Sequence, residues 1–394
     1  MTSTSRAGTP AGATPAGATP DGTTPAGATP APPVTDDDLH RWVRVAGRAP
    51  SAHNTQPWSP RVVAGTVEVA VVPDRVLAAG DPSFRDLLLS LGAWVESFAI
   101  AAAADGRGVH VEPTDRLDRL ADLPVRGPAD PGAPVLVLHP QAAPYPTPFT
   151  PADVRGRRTH RGHLDPAPDL RTDVPPLPAG LALLQVDDAA MRHLVRLGGA
   201  WTASRRAVAA ELVRWLRLSP AHPRYARDGM TDRMLLLPSP LARLAAPLTR
   251  RPALHDAALT AAGIAGRAVE AVGRTRPLPA PPAPDEPLTG PQHLVLVART
   301  PGVRSGTEEL DARLGLPPAD VVEAGRALQR TWLHAHRAGL AVAPHSEVVD
   351  SPHAVAGLRR RLGLRRTQVA LAVFSVGRPT APAPASPRLT DEPV

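Results

Sequence analysis

Two distant segments of this chain repeat one helical plan, and that repetition constrains the fold more than any other feature. Leu88 to Gly106 reads L-L-S-L-G-A-W-V-E-S-F-A-I-A-A-A-A-D-G, and Val321 to Gly339 reads V-V-E-A-G-R-A-L-Q-R-T-W-L-H-A-H-R-A-G. Gly92 and Gly106 lie fourteen positions apart, as do Gly325 and Gly339. Each segment ends on a glycine, which takes the left-handed conformation of a helix stop without steric cost. Each then leads to a proline, Pro113 and Pro344. A duplicated helix-and-strand unit produces this pattern. Glycine is frequent, with 31 copies, so the spacing alone leaves coincidence open.

Around these helices the chain alternates strand and helix signals. Residues 1–34 repeat T-P-A-G-A with almost no large apolar side chain, which predicts a disordered leader. Thr35 can cap a helix over Leu39, Trp42, Val43 and Ala46, stopped by Pro50. Arg61 to Val72 predicts a hairpin about Ala64-Gly65, and Phe84 to Ala104 a buried helix. Strands are expected at Pro134–His139, Leu181–Val186, His293–Ala298 and Val369–Val376, with helices to about Leu218, over Pro318–Ala338 and over His353–Leu362. Residues 219–290 exceed an ordinary connection, which predicts an insertion or lid. The expected division is a leader (1–34), a first half (35–150), a second half (151–380) containing that insertion, and an extended tail (381–394).

Composition removes several classes. The hydrophobic share of 43% supports a globular chain, and the 50 prolines signal non-globular stretches. All 44 basic residues are arginine, so a single arginine is weak evidence of function. The net charge of +7 has no clustered basic stripe and aromatics are 3%, so no nucleic acid is expected. Cysteine is absent, which excludes disulfides, thiolate metal sites and cysteine nucleophiles. The N-terminus lacks a signal-peptide core, and apolar stretches such as Phe98–Ala104 are too short to span a bilayer, so cytoplasmic residence without a membrane partner is expected.

Three clusters carry chemistry. Pro50-Ser51-Ala52-His53-Asn54-Thr55-Gln56-Pro57-Trp58 offers amides that match a heterocycle edge on a proline-stiffened turn. A turn satisfying its own backbone reads equally well from these residues. Arg157-Arg158-Thr159-His160-Arg161 can clamp a phosphate by charge-assisted hydrogen bonds, or form a solvated basic loop. Pro344-His345-Ser346-Glu347 follows the second helix stop. His334, His336, His345 and His353 fit no zinc spacing, so no metal is expected.

Together these pieces resemble the nitroreductase superfamily, in particular its Acg-type tandem, FMN-binding branch. A-P-S-A-H-N-T-Q-P-W is close to the family's P-S-x-x-N-x-Q-P-W, and R-R-T-H-R to its flavin-phosphate motif. D-P-S-F-R-D-L-L-L-S-L-G-A, the Gly325 helix, A-P-H-S-E-V-V-D-S-P and F-S-V-G-R-P resemble later family segments. Leu164, Gly162-His163 and Glu347 depart from the family pattern. The resemblance implies an α+β nitroreductase-like fold whose two related halves form an internal pseudo-dimer, a monomer with one FMN site. Arg157, Arg158, Thr159 and Arg161 would hold phosphate and ribityl chain. Ser51, Asn54 and Gln56 would approach from the other half, Pro344 and Ser346 would lie along the ring, and Arg388 would add a phosphate partner. The implied activity is hydride transfer from NAD(P)H through FMN to a nitroaromatic, quinone or similar acceptor, with no catalytic side chain required. The alternative is a flavin-sequestering stress protein with little turnover.

Overall fold

Threonine caps open both halves. The computed structural model describes residues 33–120, 132–249, 252–283, 290–301 and 314–389, so the expected disordered leader lies almost wholly outside the described residues. Thr35 and Asp38 form a capping box that starts α1 (Asp36–Ala46), which ends ahead of Pro50 and turns Leu39, Trp42 and Val45 inward. The hairpin strands β1 (Trp58–Val63) and β2 (Thr66–Val71) join through Ala64 and Gly65, whose φ values of 47° and 76° give the left-handed two-residue turn that strand twist favours. The helix α2 (Arg85–Ala104) follows, then β3 (Gly108–Pro113) and β4 (Pro134–Gln141). Sequence reading passed over β3, a short, mostly half-exposed strand.

Thr150 and Asp153 repeat the capping box at α3 (Pro151–Gly156). Next come β5 (Leu164–Asp165), β6 (Leu181–Val186) and α4 (Asp188–Ser204). The single helix expected to reach Leu218 breaks at extended Arg205 and resumes as α5 (Arg206–Arg214). Ser204 Oγ and Arg205 Nη1 both turn to Glu270, which ties the end of α4 to a later helix. The insertion continues through β7 (Leu216–Arg217), β8 (Met230–Thr231), α6 (Ser239–Ala245) and α7 (Pro252–Thr275). The chain then forms β9 (Gln292–Arg299), α8 (Pro318–Arg337), β10 (Ala341–Pro344), α9 (Ser346–Asp350), α10 (Pro352–Leu362) and β11 (Gln368–Pro379).

The two antiparallel sheets follow one path twice. Their strand orders are β1-β2-β4-β3 and β6-β9-β11-β10, with β5 added beside β11. In chain order each is strand, strand, long helix, strand, strand. In each, the strand after the helix takes the edge. The helices α2 and α8 cross face to face at the repeated glycines. A Cβ on Gly92 would fall 1.9 Å from the Val322 carbonyl oxygen, and one on Gly325 would fall 2.3 Å from that of Leu89. Each helix therefore presents its small residue to the other's backbone. The stop glycines Gly106 and Gly339 have φ of 70° and 71°.

Charge and aromatic packing hold the crossing. Glu96, fully buried, accepts hydrogen bonds from Tyr145 Oη, Arg326 Nε and Arg330 Nη1 at 2.8, 3.1 and 2.9 Å. Gln329 Nε2 donates to Ser97 Oγ at 3.1 Å. Trp94 stacks on Phe98, which meets Trp42 edge-on. The core spans both sheets, and a second cluster fills the outer face of β9 against α4 and α10. Burial on both faces explains why β9 reads as an unbroken apolar run. α2 is longer and more apolar than the Phe98–Ala104 stretch suggested. Among the described residues it is the one helix long and apolar enough to cross a membrane, and 89% of its apolar window is buried inside the protein.

Candidate cofactor site

The three sequence clusters meet. A cavity of about 740 Å³ is bounded by the Pro50–Asn54 turn, the Arg157–Arg161 segment, the Pro344–Glu347 turn and the insertion. Of the expected site residues, Ser51, Asn54, Arg157, Thr159, Arg161, Pro344, Ser346 and Arg388 line it, while Gln56 and Arg158 do not. The volume is that of an ordinary small-molecule or cofactor site.

The Pro50 turn is strained and heavily braced. His53, Asn54 and Gln56 all adopt positive φ, at 49°, 55° and 52°. Ser51 Oγ accepts the Gln56 amide at 2.9 Å, and Arg75 Nη1 donates to the Thr55 carbonyl at 2.6 Å. Asn54 Nδ2 donates to the carbonyls of Gly229 and Pro387, and its Oδ1 accepts from Arg388 Nη1 at 2.6 Å. Gln56 bridges the Arg227 carbonyl and the Leu389 amide. The turn thus does more than satisfy its own backbone. Its amides serve backbone partners, which seat the insertion and the C-terminal tail against the first half. Arg388 is drawn the same way, with Nη2 donating to the carbonyls of Arg48 and Ala49. Below them, fully buried Asp228 pairs with Arg217 and Arg75 at 3.0 and 3.2 Å and with Arg224.

Arg157 behaves differently. It is 6% exposed, its Nε and Nη1 have no hydrogen-bond partner, and its guanidinium lies 5.6 Å from the Trp332 ring centroid. Burial, reinforced by Arg158 and Arg48, lowers its pKa to about 10. Arg161 is enclosed by protein yet opens on the cavity; burial lowers its pKa, and Glu347 offsets part of that. Arg158 turns outward and donates to the carbonyls of Arg155 and Arg157.

Further buried polar atoms without partners gather on the same wall: His53 Nδ1, Trp332 Nε1 and Gln329 Oε1. Such atoms are rare in folded proteins and call for a ligand or water. Burial, then Arg161, pushes the His53 pKa down to about 4, so its ring is neutral at pH 7. Sequence reading did not single out His53, Gln329 or Trp332. Gln329 and Trp332, three apart on a helix, share a face, a signal that was available.

The far wall is acidic. Arg85 pairs with Asp86 and Asp350 at 2.8 and 2.7 Å, and Asp81 is buried beside them. Burial, with the repulsion of Asp86, pushes the Asp350 pKa up to about 7, and Asp81 is also raised. Among the described residues no group of histidines and carboxylates is placed to hold a metal.

Comparison with known proteins gives partial matches. No protein-family model matches the chain. A Mycobacterium tuberculosis protein named "Putative NAD(P)H nitroreductase acg" is 44% identical over 79 residues, 20% of this chain and 24% of that protein. A second from the same species, "Putative NAD(P)H nitroreductase Rv3131", is 41% identical over 76 residues, 18% of this chain and 22% of that one. The matched segment thus spans about a quarter of the curated relatives' length. Crystal structures of an FMN and NADPH-dependent nitroreductase NfnB from sphigopyxis sp. strain HMH and of the FMN-dependent NfnB from Mycobacterium smegmatis share 18% and 17% identity. They cover 62% and 58% of this chain and 92% and 86% of their own, with TM-scores of 0.30 and 0.28. Superpositions at that level define no common fold. The chain resembles the Acg-type branch of the nitroreductase superfamily, and its fold is α+β.

Proposed function

We propose that this chain is an FMN-dependent oxidoreductase that takes hydride from NAD(P)H and passes it to a nitroaromatic, quinone or similar small acceptor. The observation that carries this reading is Arg157, a buried guanidinium with two nitrogens lacking partners at one end of a cofactor-sized cavity. Its segment matches the family's phosphate motif and faces the Pro50 turn, as the resemblance requires. A buried cation without a counter-charge is costly, and a phosphate would remove that cost. Arg157, Arg161 and Thr159 would bind the phosphate and ribityl end. His53, Gln329 and Trp332 would offer an acceptor or donor to a polar ring edge, and Pro344 and Ser346 would lie along the ring. When bound, FMN supplies the hydride chemistry; the protein supplies position and electrostatics. Each half plays the part of one subunit, so that a monomer holds one site, and the chain works in the cytoplasm.

The insertion favours a second reading. Met230, Met234, Leu235, Ala258, Leu259 and Ala262 line the cavity, so α7 and its approach cover it. A cover that admits FMN but excludes nicotinamide gives a flavin-sequestering protein. Absorption spectra of the purified protein before and after anaerobic NADPH decide between them. Yellow protein bleached by NADPH supports the oxidoreductase, yellow protein that stays oxidised supports sequestration, and colourless protein that takes up no added FMN removes both.

A further inference from the structure

Five side chains behind the cavity form one continuous line of hydrogen-bonding contacts. Asp188 Oδ1, at the start of α4, is 3.0 Å from His293 Nε2 on β9. His293 Nδ1 is 2.8 Å from Ser375 Oγ on β11, and Ser375 Oγ is 2.7 Å from His345 Nε2. His345 Nδ1 is 3.3 Å from Glu347 Oε1, and Glu347 lines the cavity. His293 and Ser375 are buried, while the Asp188 side chain is 31% exposed. The Glu347 side chain is itself 27% exposed, so the line joins two part-exposed carboxylates through the second sheet, with Glu347 on the cavity wall.

The donor and acceptor inventory fixes how many protons this line holds. A neutral imidazole has one N–H and one lone pair, and a hydroxyl has one proton. With both carboxylates ionised, each ring gives its N–H to its carboxylate. Ser375 then faces two ring lone pairs with a single proton, and one of the four contacts stays unmade. One additional proton satisfies all four. Carried by either imidazole, it makes that ring donate at both nitrogens; carried by Glu347, it makes every bond point outward, Glu347 donating to His345 Nδ1, His345 Nε2 to Ser375, Ser375 to His293 Nδ1, and His293 Nε2 to Asp188. It sits on Asp188 when every bond is reversed. Interconversion moves four protons by one link each and transfers one positive charge between the ends, with every atom neutral or singly charged throughout.

We propose that Asp188, His293, Ser375, His345 and Glu347 form a proton relay that recharges the cavity from solvent. This rests on the oxidoreductase reading. A two-electron acceptor such as a quinone takes one hydride and one proton to become a hydroquinone. Hydride comes from NAD(P)H through the flavin, and Glu347 donates a proton and regains it from Asp188 along the line. Charged and titratable neighbours face both ends. Arg192 pairs with the other Asp188 oxygen, and Arg161, His53 and Asp350 lie close enough to Glu347 for each to feel its charge.

Infrared difference spectra of the flavin-free, full-length protein at neutral pH test the relay without any turnover. The band of the additional relay proton, imidazolium or carboxyl, should be lost in Glu347→Gln, in Asp188→Asn and in Ser375→Ala, and kept in Ser375→Thr. Loss in Ser375→Ala is the distinctive result, because that substitution removes no titratable group. The Asp81–Asp350 group contributes its own band, which should stay constant across the set. A relay band that survives Ser375→Ala, or is absent from the parent protein, overturns the proposal. With FMN bound, Ser375→Ala should leave anaerobic flavin reduction by NADPH unchanged and slow reoxidation by menadione on the order of a hundredfold, the size expected for a lost proton donor. Equal slowing of both half-reactions contradicts the relay. Failure of flavin binding or NADPH oxidation in the parent protein overturns the functional reading and leaves the infrared result to judge the relay alone.

Discussion

At the scale of single residues, the structure separates two arginines that sequence placed side by side. Arg157 lines the cavity with Nε and Nη1 lacking hydrogen-bond partners, whereas Arg158 donates to backbone carbonyls. Arg157→Ala should weaken FMN binding by about 1.5–3 kcal/mol, roughly ten- to a hundredfold, and Arg158→Ala should change it little. The flavin-free Arg157→Ala protein should melt no lower than the parent, because the substitution removes an uncompensated buried cation. Fluorescence titration with FMN and thermal melts check both; equal loss of affinity in the two variants would mean that diffuse basic charge holds the cofactor. The acidic wall gives a pH signature. Asp350, raised from 3.8 to about 7, takes up a proton on folding between about pH 4 and 7. Its contribution to stability is full below that window and is lost as pH rises through it. His53, lowered to about 4, works in the opposite direction, so comparison with a variant is needed. Between about pH 5 and 7.5 the Asp350→Asn melting temperature should decline less than the parent's. Parallel curves would show that Asp350 is ionised throughout. The motifs made the cavity-lining Arg157, Thr159 and Ser346 legible, because local sequence sets what each segment offers. The partner a side chain chooses depends on segments distant in sequence, so the bonds that Asn54, Gln56 and Arg388 make to the insertion, the C-terminal tail and the first half are not legible in their own motifs.

At the scale of elements, the paired glycines make the most exposed claim. Alanine is a better helix former than glycine by about 1 kcal/mol, so an isolated helix would gain from Gly92→Ala or Gly325→Ala. The crossing reverses the sign, because each added methyl meets a carbonyl oxygen of the other helix. Each variant should lose about 1–3 kcal/mol in denaturant unfolding, the usual cost of overpacking. Unchanged or increased stability would show that the helices do not approach closely there. The insertion divides into parts with different roles. Its Arg227–Gly229 stretch is bonded to Asn54 and Gln56, so deleting all of 219–290 would strip partners from the first half. Replacing only 239–275 leaves those bonds intact. If α6 and α7 act as a cover, that variant should retain FMN and oxidise NADPH several-fold faster, and unchanged oxidation would remove the gating role. Periodicity revealed the strands and helices buried on one or both sides. It missed β3, whose residues are half-exposed at a sheet edge, and the break at Arg205, which is imposed by Glu270 on another helix.

At the scale of the whole molecule, the repeated strand order gives physical form to what the sequence hinted at through two glycine spacings. The halves are not equivalent. The arginine segment belongs to the second half and the strained Pro50 turn to the first, so one chain completes one cavity and a second copy of either motif is missing from the sequence. The repeated strand order is visible in sequence only where backbone approach demands glycine; elsewhere the two sheets bury different side chains and the insertion interrupts the second. The central claim, a single cofactor site assembled within one chain, is tested most directly by quantifying released flavin against protein across gel-filtration peaks sized by light scattering. The account predicts one FMN per chain in a monomer, with the Arg157→Ala protein eluting at the same mass and largely free of flavin. Two FMN per chain, or flavin confined to a dimer, would contradict it.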